Sequence, residues 1–273
     1  MLVLGIETST ALGSVGVVEA FDGPGVGAVA VLSEVTRDSG LRHGAALLGL
    51  VDEALLAAGR EIEDLDAVAV SIGPGSFTGL RVALATAKGL VLGTTTRLVG
   101  VPTLDALSEA VCGRVLAAGP GALPAGTLLA PCLDARRGEV YGACHAWRPR
   151  GSGGAAESLV EVEPPGAFAP AAFGRRIATL AGDSPVLVFG EGATRYRAVI
   201  ESEIGRAATF LGDPAGSPSG AAVARMGSRG GGSPGDAARL GPLYVRASEA
   251  ERRRAAAKAG LPGSPPGEGP RSR

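Results

Sequence analysis

The stretch Ser71-Ile72-Gly73-Pro74-Gly75-Ser76-Phe77-Thr78-Gly79-Leu80-Arg81 constrains this chain more than any other. An apolar run over residues 66–72 ends there, and a helical pattern begins at Phe77 and runs to about Gly93. A strand therefore passes into a helix through a glycine turn. Pro74 fixes its own φ and offers no N–H, and Gly75 is free to take positive φ. A strand, a glycine turn and a helix N-terminus together make a potential anion site, and the same pattern is also the plain way a strand becomes a helix.

The flanking segments extend this into an architecture. Apolar runs at residues 2–6, 14–19 and 26–34 read as strands, with the glycine-rich residues 22–27 as a hairpin turn. A helix is expected over residues 43–58, with Gly59 as its C-cap. Strand 67–72, helix 77–92, strand 98–101 and helix 104–115 follow. The order β-β-β-α-β-α-β-α predicts a mixed sheet with helices on its faces. Residues 119–126 read as a connector. A smaller second lobe then starts with strands 127–133 and 139–147 across the turn Arg136-Arg137-Gly138. Residues 149–156 read as a loop, 171–181 as a helix, 185–189 as a buried strand, 195–202 as a helix and 221–226 as a last short helix. The expected domains are residues 1–118 (an N-terminal lobe that also dimerises), 127–246 (the C-terminal lobe) and a disordered Gly/Pro/Ser-rich tail over 247–273.

Composition narrows the function. A chain of 273 residues can bury a sizeable core. It has no unbroken apolar stretch long enough to span a bilayer and no basic leader at its start, so a cytoplasmic protein without a membrane partner is expected. The net charge is −1. Nucleic-acid affinity draws heavily on Lys and Arg neutralising phosphates, so direct tight binding of any nucleic acid, tRNA included, is not expected. Cys112, Cys132 and Cys144 lack metal-type spacing and read as buried thiols. Asparagine and glutamine are absent, so any chemistry needing a side-chain amide falls to the backbone or to a partner.

Several motifs carry a family likeness. The chain opens Leu4-Gly5-Ile6-Glu7-Thr8-Ser9-Thr10, continues Ser14-Val15-Gly16-Val17-Val18, and carries Val101-Pro102-Thr103-Leu104 after the strand at 98–101. With Ser71 to Leu107, these resemble the bacterial TsaB family, also called YeaZ, and its catalytic paralogue TsaD. Further matches are Asp134-Ala135-Arg136-Arg137-Gly138-Glu139-Val140-Tyr141, Gly190-Glu191-Gly192-Ala193 and Pro242-Leu243-Tyr244-Val245-Arg246. The resemblance covers residues 1–246, more weakly between 145 and 185. It implies an α/β fold of two ribonuclease H-like lobes of the actin, sugar kinase and Hsp70 superfamily, with mixed sheets flanked by helices. It also implies a non-catalytic subunit that pairs with TsaD in the complex forming N6-threonylcarbamoyladenosine at position 37 of tRNAs reading ANN codons. TsaE would join a larger complex, and the isolated chain would form a homodimer.

In the superfamily, ATP lies between the lobes. The resemblance places a vestigial nucleotide site at Glu7, Thr8, Ser9, Asp134, Gly190 and Gly192. Arg136 and Arg137 stand where a kinase needs small residues beside the phosphates, so no cofactor is expected for the isolated chain, with ATP or ADP held only within the complex. An ATP-dependent small-molecule kinase of the same fold is the alternative. TsaD-like paralogues carry a metal-binding histidine pair where this chain has Thr103 and Leu107, so neither a metal nor a catalytic residue is expected. A protease acting on a partner is a further alternative. It lacks a Gly-x-Ser-x-Gly elbow, and neither His43 nor His145 has an obvious serine and acid partner in the sequence.

Partner binding remains. The first two helices carry more apolar positions than one sheet-facing stripe needs. The expected partner surface comprises His43, Leu47, Leu48, Val51 and Leu55 on the first helix, and Leu80, Leu84, Lys88 and Val91 on the second.

Overall fold

The computed structural model describes residues 1–21, 29–38, 43–119, 121–149, 158–205, 207–213, 216–230 and 238–246. The expected hairpin turn at 22–27, all of the expected loop at 149–156 except Pro149, and the tail at 247–273 lie outside the described residues.

The first sheet is built from β1 (Leu2–Glu7), β2 (Leu12–Ala20), β3 (Val29–Asp38), β4 (Ala67–Gly73) and β5 (Arg97–Pro102), in the order β3-β2-β1-β4-β5. β1 pairs antiparallel with β2 and parallel with β4, so the sheet is mixed as expected. Every residue of β1 is buried because both faces of this central strand are covered. β3 lies at the edge and exposes most of its side chains. One face carries α1 (His43–Ala58) and α2 (Phe77–Val91), whose Leu47, Val51, Ala54, Ala83, Leu84 and Ala87 join the strands in one core.

The second sheet comprises β6 (Leu128–Asp134), β7 (Val140–Arg148), β8 (Ser158–Phe168), β9 (Val186–Phe189) and β10 (Thr209–Leu211), in the order β10-β9-β6-β7-β8. α4 (Pro170–Ala181) and α6 (Arg197–Ile204) pack together over one face, around Phe173, Ile177 and Ile200. A short α5 (Glu191–Arg195) precedes α6. β8 and β10 were not anticipated from the sequence. β8 contains Pro164 and Pro165, which break a strand pattern, yet it sits at the sheet edge where a missing N–H is tolerated.

Two helices complete the layers. α3 (Thr103–Leu116) lies between the lobes, with Leu104, Leu107 and Val111 packed against Leu129, Leu133 and Phe189 of the second sheet. α7 (Gly220–Arg229) crosses back and lies on β1, β2 and β4 of the first sheet, although its sequence position falls inside the segment read as the second lobe. The contact is close enough to dictate residue type. A Cβ on Gly5 would stand 2.1 Å from the Gly220 carbonyl oxygen, and one on Gly16 would stand 2.4 Å from the Ala221 nitrogen. The α7 N-terminus is fixed by Glu34, whose Oε1 accepts from Ser219 Oγ at 2.6 Å and from the Ala221 N–H at 3.1 Å. A carboxylate suits that position because it meets unpaired N–H groups and the positive end of the helix dipole. Among the described residues, no helix is long and apolar enough to cross a membrane.

Candidate functional site

A cleft of about 270 Å³ opens between the lobes, lined by Ser9, Thr10, Ser76, Asp134, Arg136 and Glu191 among others. β1 ends two residues before Ser9 enters the cleft lining. Glu7 is 1% exposed there. Its Oε1 accepts the Ser9 N–H at 2.5 Å, and its Oε2 accepts the Ser71 hydroxyl. Both carboxylate oxygens are thus engaged by the protein. Thr8 Oγ1 donates to the Gly79 carbonyl at 2.9 Å, which presses the first turn of α2 onto β1. A Cβ on Gly79 would come within 2.0 Å of the Thr8 oxygen, so only glycine fits. The Ser9 hydroxyl is buried without a hydrogen-bond partner, and its residue lines the cleft.

The strand-to-helix turn differs from expectation in one respect. Gly73, not Gly75, takes positive φ, at 119°. Gly75 is required for space, since a Cβ there would lie 2.5 Å from Ser9 Cβ. The anion-site reading also loses donors. The Ser76 N–H donates to the Ser9 carbonyl at 2.7 Å and the Gly79 N–H to Ser76 Oγ at 3.2 Å.

Across the cleft, Asp134 ends β6. Its Oδ1 accepts the Arg136 N–H at 2.9 Å, and its Oδ2 lies 3.4 Å from Arg136 Nη1 and 3.7 Å from Arg195 Nε. Arg136 and Arg137 both hold positive φ, at 62° and 57°, so this turn carries arginines in a backbone conformation that glycine favours. Glu191 faces the same space, and burial raises its carboxyl above the usual range. Gly190, with φ at 100°, and Gly192 lie against the carbonyls of Cys132 and Leu133, where a Cβ would come within 2.4 Å and 2.8 Å respectively. Both are packing glycines at the start of α5, and neither lines the cleft.

The expected partner surface divides. Leu47, Val51, Leu55, Leu80, Leu84 and Val91 are all buried, between 1% and 7% exposed, in the core of the first lobe. They cannot meet another protein without unfolding, which corrects their assignment to an outer surface. The apolar surplus over one stripe is consumed by a sheet on one side and the neighbouring helix on the other. Leu48, in contrast, is 54% exposed. Lys88 is half-buried, and its Nζ donates to the Ala238 carbonyl at 3.4 Å. The His43 side chain lies outside the described residues.

The positions where the TsaD-like paralogues carry histidines have other employment. Thr103 Oγ1 accepts the Gly73 N–H at 3.1 Å, and Leu107 is 1% exposed between the lobes. His145 does acquire a serine and an acid. Its Nδ1 lies 3.0 Å from Ser108 Oγ and its Nε2 3.1 Å from Asp105 Oδ1, which corrects the expectation that it has no such partners. The spacing of Asp105 and Ser108, one helical turn apart, was the available signal. Ser108 is fully buried, so the trio latches α3 to β7 and offers no nucleophile to a substrate. A second feature missed in sequence is the role of residues 242–246 as a strap. The Leu243 N–H donates to the Ile72 carbonyl at 2.7 Å, and Tyr244 stacks on Phe77 with ring centroids 5.5 Å apart.

Comparison with known proteins gives this geometry a lineage. The family described as TsaD, tRNA N6-adenosine threonylcarbamoyltransferase, matches residues 34–153. The tRNA threonylcarbamoyladenosine biosynthesis protein TsaB of Escherichia coli is 36% identical over 104 residues, covering 36% of this chain and 39% of that protein. An uncharacterized protein of Mycobacterium tuberculosis is 33% identical over 169 residues, covering 62% of this chain and 71% of its own length. The crystal structure of YeaZ from Pseudomonas aeruginosa superposes with a TM-score of 0.64 at 21% identity, covering 89% of this chain and 99% of that one. This chain belongs to the TsaB family. The match to Escherichia coli TsaB spans about two fifths of that protein, whereas the shared fold extends over nearly all of YeaZ. Within this TsaB-family chain, the two mixed five-stranded sheets flanked by helices share the fold of that YeaZ structure.

Proposed function

We propose that this chain acts in the biosynthesis of tRNA threonylcarbamoyladenosine as the non-catalytic partner of a TsaD-type transferase. The observation that carries this reading is the outer face of α1 and α2. Leu48 and Leu56 on α1 are 54% and 83% exposed, and Leu92, just past the end of α2, is 82% exposed. Ala46, Gly49 and Ala57 on α1, with Ala85 and Gly89 on α2, keep the same face low enough for another helix to approach. The names of its relatives support a TsaD-type transferase as the partner. A standard interface buries about 800 Å² per partner, within reach of two adjacent helices. Binding one TsaD conformation more tightly than others would raise its population, which is the mechanism of activation proposed here. The same face would pair two copies when the chain is alone, and TsaE would complete a larger complex. All of this would take place in the cytoplasm.

Leu56→Glu and Leu48→Glu test the surface. Both side chains are exposed, so the variants are expected to fold with unchanged thermal midpoints and to lose co-purification with TsaD. Retained pairing by both variants would place the contact elsewhere.

The unpartnered Ser9 hydroxyl favours a second, narrower reading, that a nucleotide phosphate reaches the cleft inside the assembled complex. In the isolated chain the cleft already holds the ion-paired Asp134, and Glu191 adds a second carboxyl. Mg-ATP is therefore expected to bind weakly or not at all to the chain alone in calorimetry. Tight binding there, with turnover, would favour the kinase reading instead.

A further inference from the structure

A second cleft, of about 310 Å³, lies between α3, α7, β7 and the edge strand β8, and shares no lining residue with the cleft between the lobes. Its walls combine apolar surface from Leu116, Leu159 and Met226 with Arg225, Arg229 and Glu109. We propose that this cleft binds a small carboxylate carrying an apolar body.

Two buried donors point to such a ligand. The indole Nε1 of Trp147 and the Nε of Arg225 are buried and have no hydrogen-bond partner, and both residues line the cleft. Trp147 is 4% exposed. Buried donors are nearly always paired in folded proteins, so two orphans beside one cavity mark a place where acceptor oxygens belong. A carboxylate supplies two acceptor atoms and suits the guanidinium geometry. The charge balance sets the ligand's valence. Glu109 Oε1 lies 3.1 Å from Arg229 Nη2 and 3.9 Å from Arg225 Nη1, so among the described residues that line the cleft one carboxylate faces two guanidinium groups and a single positive charge is left over. A monoanion neutralises it, whereas a phosphate dianion would overfill the site and stand beside Glu109. Water could satisfy the donors but would leave the leucine and methionine surfaces wet. The volume falls at the lower end of the range for small-molecule sites, which fits a compact aliphatic acid.

Trp147 is the sole tryptophan of the chain and also borders a neighbouring pocket at Ala125, Ala146 and Ser184, so its emission reports on both, and Arg225→Leu assigns a change to this cleft. The test titrates 4-methylpentanoate into the full chain, with 4-methylpentanamide as the uncharged control. A saturable change in emission with the acid and none with the amide is expected, and Arg225→Leu should weaken binding about tenfold or more. Acetylated glycyl-leucine, with a free or an amidated C-terminus, distinguishes a free acid from a chain terminus as the source of the carboxylate. Saturation by the free-ended peptide assigns the site to chain termini, and saturation by the acid alone assigns it to small molecules. Circular dichroism checks that Arg225→Leu is folded. Trp147→Phe, followed by calorimetry, provides an independent arm in which acid binding should weaken while Arg225 is intact. No saturable change up to about 10 mM, equal binding of acid and amide, or acid binding unaffected in both variants would overturn the proposal.

Discussion

Arg246 Nη1 lies 2.8 Å from Glu139 Oε2, joining the last described segment of the chain to the β6–β7 turn of the second lobe. The same Nη1 donates to the Ala135 carbonyl at 3.3 Å. Because Leu243 is bonded to Ile72 of the first lobe, the strap at 242–246 ties one lobe to the other beside the cleft. Arg246→Ala is expected to lower stability by about 1 kcal/mol, the value of a partly exposed charged contact. Urea unfolding measures it, and an unchanged midpoint would mean that the strap holds nothing.

The buried and exposed leucines of α1 should separate cleanly. Leu47, 1% exposed, sits in the first-lobe core, so Leu47→Ala should cost about 2–5 kcal/mol in chemical denaturation. Leu56→Ala, at a position 83% exposed, should stay within about 0.5 kcal/mol of the parent. Comparable losses at both positions would contradict the packing of this helix.

Ser108 and Asp105 hold His145 at its two ring nitrogens. His145→Ala leaves the Ser108 hydroxyl buried beside a void, and about 3 kcal/mol of stability should be lost. Asp105→Asn keeps a hydrogen-bonding group at a position partly open to solvent and should cost less than about 1 kcal/mol. Thermal melts of the two variants rank them, and the reverse order would show that the latch depends on the acid.

Glu191 sets a pH dependence. Burial raises its carboxyl, so the folded chain holds this proton more tightly than the unfolded one. The contribution is fully present below the ordinary glutamate value, about 4.3, and is lost as pH rises through the raised folded value. Glu191→Gln removes that loss. The variant should melt higher than the parent at neutral pH, with the gap closing toward pH 4. A gap that widens on acidification would reverse the assignment.

The thiols of Cys132 and Cys144 should be inert. Burial pushes Cys144 up to about 12 and Cys132 well above the usual thiol range. Neither should react with a thiol-specific reagent at pH 8 until the chain is unfolded in guanidinium. Rapid labelling of the native protein at either position would contradict their burial.

Much of the fold was legible because the first lobe alternates strands and helices with clear periodicity and glycine punctuation. The expected helix at 43–58 matches α1 residue for residue, and the strand, turn and helix around Gly73 fall where their apolar runs stop. β8 was obscured by its prolines, since a sequence pattern does not reveal which strand lies at an edge. The candidate cleft was legible in part, through Ser9, Asp134 and Arg136, because strand ends converge in any two-lobed α/β fold.

The sequence by itself determined the order of elements in the first lobe and the family, because these depend on local sterics, periodicity and motif spacing. Tertiary structure alone decided which leucines of α1 and α2 face the sheet and which face outward, because helical periodicity marks faces without naming what covers them. It also returned α7 to the first lobe through Gly5 and Gly16, and brought Asp105, Ser108 and His145 together across two lobes. Such contacts join residues far apart along the chain, and local spacing marks only one part of them, the single turn between Asp105 and Ser108.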